Sequence, residues 1–122
     1  MMKLQTLTLG CSKNKVDTEH ILSQVESLYE IIPEGEDVSV DVLLINTCGF
    51  IGDAKEESVQ AVLEGVERKN RGEVGKVIVF GCLSQRYGSE LPELIPEVDG
   101  WFGAREFGPV VKALGGEPFD DI

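Results

Sequence analysis

The stretch VSVDVLLINTC, residues 38–48, decides the fold class. It is a run of β-branched and aliphatic residues that ends in Asn and Thr and leads directly into Cys48. Its continuous apolar part, residues 42–45, is typical of a strand that is buried on both faces of a parallel sheet. The turn after such a strand lies at its carboxyl end, where open α/β sheets keep their chemistry. Cys48 is therefore a candidate functional residue.

Two other stretches place a cysteine in the same way. TLTLGC, residues 6–11, leads into Cys11, and VIVFGC, residues 77–82, leads into Cys82. A free cysteine often packs as a small hydrophobic residue, and that interpretation applies to any one of the three. Three cysteines at the same point after three apolar runs instead indicate one shared site.

Helical patterns alternate with the predicted strands. Their apolar stripes comprise Ile21, Leu22, Val25, Leu28 and Tyr29; then Val59, Val62, Leu63 and Val66; and finally Val110, Val111 and Leu114 before Gly115. We predict strands at residues 4–9, 31–32, 38–45, 76–80 and 98–102, a helix starting at Asp53, and a shorter helical segment over residues 84–94. Residues 34–37 are predicted to form a surface loop.

Strands that alternate with helices predict right-handed βαβ units and a parallel sheet. The expected fold is therefore α/β, a three-layer flavodoxin- or Rossmann-like sheet with helices on both faces and the strand order 2-1-3-4-5. In that order the strands that precede the three cysteines are neighbours. We expect one domain over residues 1–115 and a linker over residues 116–122.

The composition is acidic, with 11 basic and 22 acidic residues among 122 and a net charge of −11. Because sequence-independent affinity for nucleic acid comes from Lys and Arg, this balance disfavours direct nucleic-acid binding and favours a basic protein partner. No apolar stretch approaches the roughly 18 residues that a membrane span needs. With an odd number of cysteines and no secretory leader, a reducing cytoplasm is expected.

Three kinds of site fit the cysteines. An iron–sulfur cluster held by three thiolates leaves one iron without a protein ligand. A zinc site needs a fourth ligand, for which His20 is the only histidine in the sequence. A thiol enzyme needs a base beside one cysteine, and no C-x-x-C pair is present. Five polar residues flank the cysteines, and they either donate hydrogen bonds to sulfur or solvate and cap the loops: Asn14, Asn46, Thr47, Ser84 and Gln85.

At the same residues the chain resembles the radical S-adenosylmethionine methylthiotransferases, specifically their N-terminal domain. The matching stretches are LGCSKNKVDTE at 9–19, INTCGFIGDAKEES at 45–58, GCLSQRYGSEL at 81–91 and IPEVDGWFG at 95–103. The forms CSKN, NTCGFI and AKEES are similar to the branch that modifies a ribosomal protein. The pattern of the tRNA-modifying branch differs around the first two cysteines.

The resemblance implies that Cys11, Cys48 and Cys82 bind an auxiliary 4Fe-4S cluster with one open iron. In that family the cluster supplies the sulfur of a methylthio group, and the acceptor in the ribosomal branch is the β-carbon of an aspartate in a basic small-subunit ribosomal protein. A second cluster, held by a C-x-x-x-C-x-x-C motif in a following domain, cleaves S-adenosylmethionine.

The C-x-x-x-C-x-x-C motif is absent from these 122 residues. We therefore expect a domain that holds the sulfur-donating cluster of a longer transferase and that is inactive on its own. The alternatives are a domain of the tRNA-adenosine enzyme and a non-catalytic zinc or electron-transfer domain.

Overall fold

The structure is a computed structural model that describes residues 2–9, 12–47, 52–81, 90–103 and 106–115. Within these ranges the chain forms five strands and four helices. The strands are β1 (Met2–Thr8), β2 (Tyr29–Ile32), β3 (Val40–Thr47), β4 (Val74–Gly81) and β5 (Gly100–Phe102). The helices are α1 (Ser12–Val25), α2 (Gly52–Asn70), α3 (Leu91–Leu94) and α4 (Phe107–Ala113).

The five strands form one parallel sheet in the order β2-β1-β3-β4-β5. This order confirms the predicted topology and the α/β class. The central strand, β3, pairs with β1 from Val42 to Asn46 and with β4 from Val40 to Thr47. Its apolar composition follows from this position, because both faces of a central parallel strand are covered.

Alternate residues of the sheet enter two separate hydrophobic cores. Leu44 and Phe80 pack with Ile21 of α1 and Val110 of α4 on one face. Ile45 packs with α2 residues on the other face. These two cores make the three layers that the sequence predicted. No helix in the described ranges is long and apolar enough to span a membrane.

The inward face of α2 differs from the prediction at Leu63. Val62 and Val66 are buried as expected, but Leu63 is 45% exposed. Gly65 faces the sheet instead, and a Cβ placed on it would lie 3.0 Å from Leu43 Cδ2. A glycine in a helix brings the backbone closer to the sheet than a larger residue allows, so the buried stripe of α2 runs over its small residues.

The predicted extension of the first helix to Tyr29 is wrong. The helix ends at Val25, and a turn follows in which the Leu28 amide donates to the Val25 carbonyl over 2.9 Å. Leu28 is exposed, whereas Tyr29 opens β2 and pairs with Met2. The Tyr29 hydroxyl donates to the Leu114 carbonyl over 2.7 Å. Pairing with β1 and contact with the end of α4 therefore override the helical spacing.

Other predicted boundaries shift slightly. The third strand begins at Val40 rather than Val38, and the last strand is limited to residues 100–102. The closing helix ends as predicted, because Gly115 has a φ of 88° and its amide donates to the Lys112 carbonyl over 3.0 Å. Residues 84–89 of the predicted helical segment and the predicted linker at 116–122 lie outside the described residues.

We predict that Tyr29→Phe lowers the free energy of unfolding by about 1 kcal/mol, because it removes a buried hydrogen bond between β2 and the end of α4. Ser23→Ala is the matched control, since it removes an exposed hydroxyl that donates to the His20 carbonyl. Urea titration measures both variants. Equal losses in the two variants would contradict this account of the Tyr29 bond.

The Tyr29 bond also predicts a pH dependence. Burial raises the pKa of Tyr29 above its ordinary value of 10.0, and the charge of Asp41 raises it further. The folded state therefore holds this proton more tightly than the unfolded state. The resulting contribution to stability is fully present below about pH 10, and it is lost as the pH rises through the pKa of Tyr29 in the folded state. The stability difference between the wild type and Tyr29→Phe should shrink in alkaline urea titrations, and a constant difference would exclude the effect.

Candidate functional site

The carboxyl ends of three neighbouring strands form the candidate site. Thr8 of β1 pairs with Asn46 of β3, and Asn46 pairs in turn with Phe80 of β4. The last described pair of the β3–β4 ladder joins Thr47 to Gly81. Neighbouring strands lie about 4.8 Å apart, so the three strand ends span roughly 10 Å.

The predicted site residues Cys11, Cys48 and Cys82 lie outside the described residues. In the sequence, Cys48 and Cys82 directly follow the paired residues Thr47 and Gly81, and Cys11 comes three residues after Thr8. The structure thus brings together the strand ends that lead to all three cysteines. The meeting of the three sulfur atoms stays a prediction.

Gly81 lies opposite Thr47 at the carboxyl ends of β3 and β4. Its φ is 114°, a value that side-chain-bearing residues rarely adopt. A Cβ on Gly81 would lie 2.5 Å from the Thr47 carbonyl oxygen, 2.8 Å from the Thr47 nitrogen and 2.9 Å from Asn46 Oδ1. Both the backbone conformation and the space therefore require glycine immediately before Cys82.

A buried polar cluster connects α1 to the carboxyl ends of β1 and β3. The hydroxyls of Thr8 and Thr18 lie 2.8 Å apart, and Asn46 Nδ2 donates to Thr18 Oγ1 over 3.1 Å. The Leu9 amide donates to the Asn46 carbonyl over 2.9 Å. Thr18 is 4% exposed and Asn46 is 2% exposed. One hydroxyl on α1 thus contacts both β1 and β3 at the carboxyl edge.

These contacts change the interpretation of two flanking residues. The Thr47 hydroxyl donates to the Phe80 carbonyl over 2.9 Å, so it links β3 to β4. The Asn46 amide nitrogen contacts the α1 hydroxyl of Thr18. Both side chains therefore hold the strand ends in register.

The starts of the two longest described helices lie at this edge. The first, α1, begins at Ser12, and the second, α2, begins at Gly52, four residues after Cys48 in the sequence. The amino terminus of a helix carries partial positive charge on its backbone N–H groups. Such groups lower the pKa of nearby thiols and stabilise an anionic cofactor.

His20 does not support the zinc alternative. Its exposed ring packs edge-on against Phe107 of α4, with centroids 5.7 Å apart and planes at 70°. Phe107 in turn packs edge-on against Phe80, with centroids 6.5 Å apart. The imidazole therefore belongs to an aromatic contact between α1, α4 and the sheet.

The sequence interpretation missed Gly81 and Thr18. The repeated Gly-Cys dipeptides at residues 10–11 and 81–82 were the available signal for the glycine. For Thr18, which lies seven residues after Cys11, the sequence offers no comparable signal.

A comparison with protein families decides the classification. The model described as "Uncharacterized protein family UPF0004" matches residues 3–103, which include all three cysteines and all five strands except Met2. The chain belongs to the UPF0004 family. The family, the N-terminal domain of methylthiotransferases, is the one that the sequence motifs resembled.

This UPF0004 chain is also similar to curated bacterial proteins that are each named ribosomal protein uS12 methylthiotransferase RimO. The identity is 47% over 116 residues with the protein of Chlorobium phaeobacteroides, covering 95% of this chain and 27% of that protein. It is 46% over 122 residues with that of Chlorobium limicola, covering 100% and 28%. With the protein of Bacteroides thetaiotaomicron the identity is 45% over 114 residues, which covers 93% of this chain and 26% of that protein. The chain spans about a quarter of the length of these relatives.

The geometry at the carboxyl end of β4 predicts that Gly81→Ala strongly destabilises the fold. We expect a loss of at least about 3 kcal/mol, because the new Cβ meets backbone atoms that cannot move without breaking the β3–β4 ladder. Gly72→Ala is the matched control, since Gly72 has a φ of 81° but a Cβ placed on it would have no atom within 4 Å. The control should lose only about 1–2 kcal/mol. If chemical denaturation shows similar losses in the free energy of unfolding for the two variants, steric contact at Gly81 is unimportant.

The polar cluster predicts a contrast between two substitutions of Thr18. Thr18→Val keeps the shape but removes the hydroxyl that Asn46 and Thr8 contact, so it should cost about 1–3 kcal/mol. Thr18→Ser keeps the hydroxyl and should cost less than about 1 kcal/mol. If thermal and urea unfolding show that the serine variant is less stable than the valine variant, the cluster does not stabilise this edge.

Proposed function

We propose that this chain holds a 4Fe-4S cluster through Cys11, Cys48 and Cys82 and serves as the sulfur-donating domain of a methylthiotransferase that modifies ribosomal protein uS12. The observation that carries the proposal is the adjacency of β1, β3 and β4, whose carboxyl ends lead directly to the three cysteines. The names of the similar proteins support the choice of reaction and substrate.

The residues at this edge fit an iron–sulfur cluster. Thiolates are the usual ligands of such clusters, and three of them leave one of four irons without a protein ligand. The cluster, when bound, supplies the sulfur of the methylthio group at that open iron. A zinc site fits less well, because the His20 ring packs against Phe107.

The chain's own residues contribute position and charge. The conformation of Gly81 sets the direction in which the backbone leaves β4, opposite Thr47 and immediately before Cys82. The Thr18 hydroxyl joins the ends of β1 and β3, the strands that precede Cys11 and Cys48 in the sequence. The amino termini of α1 and α2 stabilise thiolate charge, so the cysteines bind iron without a neighbouring base.

The remaining chemistry belongs to parts of a longer protein. We assign residues 1–115 to the cluster domain and residues 116–122 to a linker, followed by a domain that binds S-adenosylmethionine and a second 4Fe-4S cluster. The proposed acceptor is the β-carbon of an aspartate in uS12, and the proposed location is the cytoplasm. The net charge of −11 supports a basic ribosomal protein over tRNA as the substrate.

Anaerobic reconstitution with iron and sulfide tests the cluster. We expect about four irons and four sulfides per wild-type chain. Single Cys11→Ala, Cys48→Ala and Cys82→Ala variants should each lose most of this iron, because each removes one of three ligands. His20→Ala is the control and should keep it, whereas zinc uptake that depends on His20 would contradict the proposal.

The reaction is tested in the longer protein that contains this domain. With S-adenosylmethionine and a reductant, it should methylthiolate purified uS12, as read by mass spectrometry of the aspartate-containing peptide. The Cys48→Ala variant should bind uS12 but leave it unmodified. Modification of tRNA with unmodified uS12 would contradict the assigned substrate.

A further inference from the structure

A groove lies between α2 and the connection from β2 to β3. This connection, residues 33–39, contains seven residues and no helix. Parallel strands are usually joined by at least about ten residues that include a helix. Because that helix is missing, the α2 side of β1 lacks a full cover, and Leu7 remains partly exposed. We call this space the crossover groove.

Hydrogen bonds hold the connection in place above β1. Gln5, which is 2% exposed, donates through Nε2 to the carbonyls of Pro33 (3.0 Å) and Glu36 (2.8 Å). Its Oε1 accepts from Arg68 over 3.1 Å, and Arg68 also donates to the Val38 carbonyl over 3.1 Å. The connection is therefore fixed at both ends, and the groove is formed before any partner binds.

The size of the crossover groove suits a side chain. Its volume is about 250 Å³. Sites for small molecules usually enclose about 300–1,000 Å³. Leu7 and Leu43 supply an apolar floor, and Ala61 on α2 leaves room above it. A long side chain with an apolar stem fits this space better than a free cofactor does.

The rim of the crossover groove is negatively charged. Four carboxylates line it, those of Glu34, Glu36, Asp37 and Glu64, and none forms an ion pair with a described residue. Among the described residues of the lining, Arg68 is the only basic one, and its guanidinium already bonds to Gln5 and Val38. The groove therefore complements a cation.

We propose that the crossover groove receives a Lys or Arg side chain from an extended segment of the ribosomal-protein substrate, an inference that rests on the proposed function. The aliphatic stem lies on Leu7 and Leu43, and the charged group reaches the rim carboxylates. A protein that binds ribosomal RNA supplies such side chains, because Lys and Arg neutralise phosphates.

The position of the groove links it to the candidate site. Glu34 on the rim accepts a hydrogen bond from the backbone amide of Thr8 over 3.4 Å. Thr8 is the last residue of β1, three residues before Cys11. A segment anchored in the groove is thereby held next to the carboxyl edge, where the proposed cluster lies.

Fluorescence anisotropy with labelled, purified uS12 tests the proposal on the 122-residue chain. The groove variant combines Glu36→Gln, Asp37→Asn and Glu64→Gln. The control combines Glu26→Gln, Glu93→Gln and Glu97→Gln, which removes the same number of exposed charges outside the lining. We expect the groove variant to bind at least about tenfold more weakly and the control less than about threefold, because only the first set lines the site. Equal weakening, or no binding by the wild type, overturns the proposal.

The same titration with the longer protein tests whether another domain of that protein occupies the crossover groove. The groove variant should again weaken uS12 binding by about tenfold. If the effect appears only in the 122-residue chain, another domain of the protein covers the groove and the proposal is wrong. The iron content of the reconstituted wild type reports separately on the proposed function. A reconstituted chain without iron contradicts that function. An unaltered uS12 affinity in the groove variant contradicts the inference about the groove.

Discussion

The backbone conformation of Gly81, opposite Thr47 at the carboxyl ends of β3 and β4, is the constraint on which the candidate site depends. Gly81 adopts a φ of 114° against Thr47, and no side chain fits between them. The next residue of each strand in the sequence is a cysteine. The hydroxyl of Thr18 adds the third strand by contacting Thr8 and Asn46. Strand register and one polar cluster therefore set the spacing of the three strand ends that precede the cysteines in the sequence.

The sequence predicts most of the fold because its strands are short apolar runs that end in polar residues or glycine. The run from Val40 to Ile45 belongs to a central strand, and a strand covered on both faces needs no polar alternation. Tyr29 was assigned wrongly because its spacing from Val25 fits a helix, while pairing with β1 decides its conformation. Leu63 was assigned wrongly because α2 packs through Gly65, and apolar periodicity gives no weight to glycine.

The candidate site was predictable only in part. The placement of cysteines after strands indicates a shared edge, and parallel topology makes that edge a single place. The role of Thr18 depends on how α1 crosses the strand ends, which local sequence does not encode. The crossover groove depends on a connection that is shorter than usual, and on the contacts of Gln5 and Arg68 beneath it. Tertiary contacts of this kind follow from the whole fold and not from a motif.

Diffraction at the iron absorption edge, from crystals of the anaerobically reconstituted chain, tests the central claim most directly. The account predicts one compact group of iron peaks at the carboxyl edge of β1, β3 and β4, bonded to the sulfurs of Cys11, Cys48 and Cys82, with one iron lacking a protein ligand. Iron bound elsewhere on the chain, or at this edge with fewer than three of these cysteines as ligands, would contradict it.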